Sequence, residues 1–135
     1  MPANTTPIFP IIPKISFAKL NTANTLKDGT GAVATVFVSG INGSRVDYLK
    51  VRALGTNTAT VLRVFINNGT DSNTSTNNTL FIEQTITATT LSEVAALADN
   101  VVTLDLSLPP NYILNCTIGT TVSAGLMVTA VGGDY

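Results

Sequence analysis

The chain has 135 residues, of which 11% are charged, and seven basic and eight acidic side chains give a net charge of −1. This length predicts one domain with a core. The lack of a basic run excludes a nucleic-acid binding surface. No apolar run reaches the roughly 20 residues that span a bilayer. Because histidine is absent and there is one cysteine, the commonest general base and any zinc ligand set are missing, and we expect no enzyme activity, no metal and no cofactor. Tryptophan is also absent, which weakens a prediction of sugar binding.

The first predicted element is an extended arm over residues 1–14, where TPIFPIIP spaces three prolines three apart. Proline excludes a helix and a central strand, which leaves polyproline II. Ile8, Phe9, Ile11 and Ile12 would then expose apolar surface unless something covers it. The cover is either the chain's own domain or a neighbouring subunit. We favour the neighbour, because fourteen extended residues span about 40 Å.

Residues 15–135 are predicted to form one β-sandwich domain. Alternating or β-branched apolar runs, separated by Gly, Asn and Pro, mark eight strands. They fall at 15–20, 32–39, 45–54, 59–67, 79–87, 101–108, 112–118 and 126–131. Because no helices alternate with these strands, a parallel sheet is excluded. We expect an all-β, antiparallel, two-sheet sandwich, most simply a jelly roll. Its 22 threonines and 13 asparagines suit strands and turns respectively.

Two connections differ from simple turns. Residues 67–78 are wholly polar and predict an exposed hairpin tip. A calcium loop is the weaker interpretation, because its sharp-turn glycine is missing and Ile82 stands in place of the bidentate glutamate. Residues 88–100 begin with a capping-box pattern and apolar residues at helical spacing. A short helix and an irregular crossing between the sheets are both compatible with that segment.

Strict alternation assigns side chains to the two faces of each strand. On the third strand it places Val46 with Tyr48 on one face and Leu49 on the other. On the fourth strand it places Phe65 with Arg63, opposite the buried face.

A small cationic and aromatic patch is the strongest candidate site. Tyr48, Lys50 and Arg52 share a strand face, and Arg63 joins them if the third and fourth strands pair. Such a patch could meet carboxylates on a partner, or its cations could pair locally with Asp47 and Glu83. The partner-interface candidates are therefore the apolar arm residues together with Tyr48, Lys50, Arg52 and Arg63.

The remaining reactive groups have structural explanations. Cys116 cannot form an internal disulfide and stands in the alternating run YILNCTI, which predicts a small core residue. The carboxylates are isolated on predicted strands or loops, where solvated faces and caps explain them better than a glycosidase pair. They are Asp47, Glu83, Glu93, Asp99 and Asp105.

Two stretches carry a resemblance, SRVDYLKVRALGTNTATVLRVFINNG and SLPPNYILNCTIGTTVSAGLMVTAVGGDY. They resemble small β-sandwich structural proteins of tailed bacteriophages, of the capsid decoration (cement) type, over about residues 30–135. In that family a strand–LPxxY–strand corner joins two long strands, here Leu108 to Tyr112, and the chain ends near a GGDY-like tail. Asn111 stands where the family often has glycine, which affects only the turn.

The resemblance implies a non-enzymatic virion protein on the capsid surface. Its implied partner is the major capsid protein, and its implied oligomer is a homotrimer that ties capsomers together. The alternative is a tail-fibre or baseplate module that binds a host receptor or glycan through its loop tips. Since the prolines interrupt any signal peptide, we expect synthesis in the host cytoplasm without one, and neither nucleic acid nor membrane as a partner.

Overall fold

The computed structural model describes residues 9–135, so Ile8 of the predicted arm lies outside the described residues. Every predicted strand is present, and the all-β class is confirmed. The strands are β1 (Ile12–Leu20), β2 (Ala34–Val38), β3 (Ser44–Ala53), β4 (Thr60–Asn67), β5 (Asn78–Ile86), β6 (Asn100–Leu108), β7 (Ile113–Ile118) and β8 (Leu126–Asp134). The described part of the chain contains one helical element, the 3₁₀ turn Ser75–Asn77, and no helix in it could cross a membrane.

The strands form two antiparallel four-stranded sheets. Sheet A has the order β1-β8-β3-β6 and sheet B has the order β2-β7-β4-β5. Strand n therefore pairs with strand 9−n in all four cases, as in a long hairpin that is rolled up into two layers. This is the jelly-roll arrangement expected from the sequence.

The core lies between the two sheets. It contains alternate residues of every strand, with the largest fully buried side chains at Phe37, Leu49, Leu62, Leu114 and Leu126. Cys116 is fully buried among them, as predicted, and this burial raises the pKa of its thiol to about 12.

A bulge in β3 changes the predicted faces of that strand. The register shifts between Val46 and Tyr48 in the pairing with both neighbours. Asp47 is an extra residue relative to β8, whereas in the pairing with β6 the extra residue lies on β6, between Thr103 and Leu106. Val46, Leu49 and Val51 are consequently all buried. The prediction that Val46 shares a face with Tyr48 was wrong, because strict alternation cannot include a bulge.

Strand β1 begins three residues inside the segment predicted as the arm. Ile12 and Pro13 pair with Asp134 and Gly133 of β8, and the Ile11 amide donates to the Asp134 carbonyl at 2.8 Å. Pro13 is tolerated because β1 is an edge strand with a ladder on one side only.

The longer connections have little regular structure. Residues 67–78 form the predicted hairpin tip between β4 and β5, closed by the Asn67–Asn78 pair. Residues 88–99 contain bends and one isolated bridge between Asn57 and Thr89, so the irregular crossing is correct and the short helix is not. Asn111 adopts a φ of 65° in the corner before β7, a left-handed conformation that asparagine tolerates.

Gly132 provides a test of this packing. A Cβ at this position would lie 2.0 Å from the Arg45 carbonyl oxygen, next to the β3 bulge. We expect Gly132→Ala to lower the free energy of unfolding by at least about 3 kcal/mol, because backbone atoms must move. Urea denaturation measures the effect, with Thr129→Ala on the half-exposed side of the same strand as the control. Equal stability of the two variants would contradict the close approach.

Candidate interaction surface

The outer face of sheet A carries three rows of side chains that cross neighbouring strands. The register aligns Ile15 with Val131, and Val131 with Tyr48. The second row runs from Phe17 through Thr129 and Lys50 to Val101, and the third contains Lys19, Met127 and Arg52. The face is thus apolar along its β1 edge and becomes cationic across β3.

Large apolar side chains are exposed along the β1 edge. Ile15 and Phe17 are 65% and 68% exposed, and Ile11, one residue before the strand, is 79% exposed. We call these three residues the β1 strip. Phe9, a predicted interface residue, is also exposed at 73%. Together the strip presents on the order of 300–400 Å² of apolar surface, which is large for an uncovered patch on a small domain.

Ile12 was predicted to act with the other apolar arm residues but does not belong with the strip. It is 59% exposed, but it precedes Pro13 in the strand, so alternation turns its side chain away from the side that carries Ile15. The sequence grouped Ile12 with its neighbours because polyproline II has a period of three, whereas the strand has a period of two.

A shallow groove lies beside the strip, at the cationic part of the face. It has a volume of about 190 Å³ and is lined by Lys50, Arg52, Ala53, Leu54, Met127 and Thr129. Lys50 lies 3.5 Å from the Asp99 carboxylate, and Arg52 bonds the same carboxylate. One acid therefore balances two cations, which leaves the rim of the groove with a net positive charge. The sequence predicted this grouping of Tyr48, Lys50 and Arg52 but did not identify Asp99 as their partner.

Arg63 is not part of this surface. Strand β3 pairs with β6 and β8, whereas Arg63 lies on β4 in the other sheet. Its Nε donates to Glu83 Oε1 at 2.8 Å, and its side chain is 12% exposed. The structure therefore does not bring Arg63 together with Tyr48, because consecutive strands of a jelly roll often lie in different sheets. A partner contact made by Arg63 remains a prediction.

A polar niche surrounds Arg63 on the outside of sheet B. Thr117 lies directly opposite Arg63, and Arg63 Nη1 and Thr117 Oγ1 are both buried without a hydrogen-bond partner. An open depression of about 310 Å³ adjoins the guanidinium, with Val61, Thr85 and Gly119 among its lining residues. Glu83 already neutralises Arg63, so the niche offers no net charge to a ligand.

The hairpin tip of residues 67–78 is held by its own amides. Asn77 Nδ2 donates to the Asp71 carbonyl at 2.9 Å, and Asn78 Nδ2 donates to the Ser72 carbonyl at 2.7 Å. Asn67 Nδ2 donates to Asn78 Oδ1 at 2.7 Å. These asparagines stabilise turns, so their amides are engaged within the loop. Among residues 9–135 there is no group of three or more His, Cys, Asp or Glu that could hold a metal ion.

A buried network joins β8 to the start of β3 and to β1. Ser44 Oγ donates to Asp134 Oδ1 and accepts from the Gly40 amide at 2.9 Å, while Lys14 Nζ lies 3.4 Å from the Asp134 carboxylate. The Ser44 hydrogen bond, assisted by Lys14, holds the pKa of Asp134 below its usual range despite partial desolvation. The ionised carboxylate thus helps to hold β1, and with it the β1 strip, against the sandwich.

Ser44→Ala should reveal this network through its pH dependence. The Asp134 pKa is lower in the folded chain, so its contribution is present above about pH 4 and is lost as the pH falls through the folded value. We expect Ser44→Ala to lower the free energy of unfolding by about 1–3 kcal/mol at pH 7, and by less at pH 2.5. Urea denaturation at both values measures this. Ser107→Ala, which removes an exposed hydroxyl contact with Tyr135, serves as the control, and a difference that does not shrink in acid would contradict the assignment.

No protein-family model matches the chain, and no curated protein matches it in sequence. Among solved structures, a chain of the T13 IBDV viral particle is similar with a TM-score of 0.35 and 15% identity, covering 97% of this chain and 35% of that chain. Structures of the Gx and Gt strains of infectious bursal disease virus are similar with TM-scores of 0.33 and 0.32, both at 12% identity. Each match covers 90% of this chain, and the matches cover 32% and 34% of the Gx and Gt chains respectively. The chain thus spans about a third of their length, and a likeness at this level says nothing about function.

Proposed function

We propose that this chain is a non-enzymatic structural protein of a virion, a capsid decoration (cement) protein that binds the major capsid protein on the surface of the shell. The observation that carries the proposal is the outer face of sheet A, where exposed apolar side chains adjoin a cationic groove on a rigid β-sandwich. The resemblance of the sequence to phage decoration proteins and the jelly-roll order of the strands agree with it.

The groove is the part of this face that suits the capsid protein. Met127 and Leu54 give it an apolar lining, and Lys50 and Arg52 place two cations at its rim against the single carboxylate of Asp99. A segment that carries an apolar side chain next to an acidic one would satisfy both features. The predicted contact residues are Lys50 and Arg52 at the groove, Tyr48 in the adjacent row of β3, and Ile8, Phe9, Ile11 and Ile12 in the arm.

Stabilisation of a shell by such a protein follows from burial. Covering a large apolar side chain contributes roughly 1.5–3 kcal/mol, and the same contact repeats at every equivalent position of the shell. A domain that bridges two capsomers therefore raises the free energy needed to separate them. This would oppose the outward pressure of packaged DNA without any chemical step.

Lys50→Glu tests the groove. We expect the variant to bind decoration-free shells of the major capsid protein at least tenfold more weakly than the wild-type chain, because the rim loses its positive charge. Lys27→Glu makes the same change of charge at an exposed site in the β1–β2 connection and should bind normally. Co-sedimentation of chain and shells over a range of chain concentrations gives the affinity.

Two outcomes would count against the proposal in different ways. If Lys50→Glu and the wild-type chain decorated shells equally, the groove would not be the contact surface. If the wild-type chain failed to bind shells at all, the decoration role itself would be wrong, and binding of glycans or host receptors would be measured next.

A further inference from the structure

We infer that the β1 strip is a contact surface between two copies of this chain, which meet strip to strip in antiparallel orientation about a two-fold axis. The contact does not use the groove proposed above for the capsid protein. It assigns Ile11, one of the predicted arm contacts, to a second copy together with Ile15 and Phe17. It needs no second protein and can be tested on the purified chain.

The position of the strip allows such a contact. Strand β1 is the edge strand of sheet A, so no further strand among residues 9–135 flanks it on the outer side. The exposed side chains of Ile15 and Phe17 stand on the outer face, and Ile11 extends their row beyond the end of the strand. A second copy can therefore approach this edge without meeting the body of the sandwich.

The charges near the strip favour a partner that is itself neutral. The first thirteen residues contain no charged side chain, and Lys14 is balanced by Asp134 within the chain. Between Ile11 and Phe17 an acidic or basic partner would thus gain nothing, whereas a second copy presents an equally apolar strip; the unpaired charge of Lys19 lies beyond Phe17. Self-association needs the same surface on both partners, and the strip meets that requirement.

Lys19 determines the relative orientation. It follows Phe17 on the outer side of β1 and makes no ion pair among the described residues. A parallel contact would place the Lys19 side chains of the two copies side by side, and their charges would repel each other. In an antiparallel contact centred near Lys14, the two lysines are separated by about ten strand residues, or about 33 Å. Ile11 of one copy then lies against Phe17 of the other.

A two-fold contact of this kind closes with two copies. The oligomer expected from the strip is therefore a dimer of the 14.0 kDa chain, and not the homotrimer that the sequence resemblance implies. The two states are distinguished directly by mass.

Engineered disulfides test the contact and its orientation. Residues 11 and 17 of one chain are separated by six extended residues, about 20 Å, whereas a disulfide needs Cα atoms about 4–7 Å apart. A bond between these positions can therefore form only between two chains. Cys116 will not interfere, because it is fully buried and its thiol has a raised pKa.

We expect a mixture of Ile11→Cys and Phe17→Cys chains to give a covalent dimer on mild oxidation. Phe17→Cys alone should not cross-link, because the antiparallel contact holds its two copies about 20 Å apart. Predominant cross-linking of Phe17→Cys with itself would overturn the antiparallel orientation. Ile41→Cys, at an exposed apolar site in the β2–β3 turn, mixed with Ile11→Cys is the control and should give no covalent dimer.

Sedimentation equilibrium provides the second measurement. The wild-type chain should sediment as a dimer, and Phe17→Ser should weaken the association at least tenfold while its circular dichroism spectrum is unchanged. Ile41→Ser, also an exposed apolar residue made polar, should associate like the wild type. A wild-type monomer or trimer would overturn the inference, and a Phe17→Ser variant that still binds shells would leave the decoration role intact.

Discussion

The bulge at Asp47 decides which side chains of β3 enter the core and which reach the surface. Because the strand gains one residue there, Val46 and Leu49 both face inward, and the next outward positions fall to Tyr48, Lys50 and Arg52. β3 lies between β8 and β6. The shift in which β3 residues point outward therefore determines which side chains are aligned across the outer face of these three strands. Without it, either the core would lose Val46 or the groove would lose its cations. The absence of a Cβ at Gly132 lets β8 approach the bulge closely enough for this arrangement.

The sequence was sufficient to predict where the strands lie, but it did not predict which strands pair with each other. Alternating apolar residues and Gly, Asn and Pro turns identified all eight strands, because both signals are local. The place of Arg63 was not predictable in this way, since the pairing of β4 with β7, which puts Arg63 in the other sheet from Tyr48, depends on contacts between distant residues. The bulge was missed for a related reason: Asp47 has no sequence signature that separates an extra residue from an ordinary exposed one. The C-terminal part of β8 was missed because Gly132 and Gly133 are weak strand formers.

The outer face of sheet A combines two kinds of surface that act at different ranges. The groove has a net positive rim, and charges of this kind orient a partner before contact and weaken with added salt. The β1 strip lacks that long-range attraction, and only the release of water on contact favours its burial. Separation of the two on one rigid sheet would let a single small domain bind a copy of itself and a different protein at once. On sheet B, Arg63 is already paired with Glu83 and largely buried, so it does not form a cationic rim like that of the groove.

The pairing of β1 with β8 also affects when the strip is completed. The β8 residues that align with β1 follow it by about 100 residues of chain, so during synthesis β1 has no ladder partner until nearly the whole domain has left the ribosome. Contacts between such distant segments form late in folding. The β1 strip therefore becomes ordered only after β8 and the core strands have formed and β1 can pair with β8. The exposed apolar edge is therefore not in its ordered form while the chain is still unfinished, when aggregation is the greatest hazard.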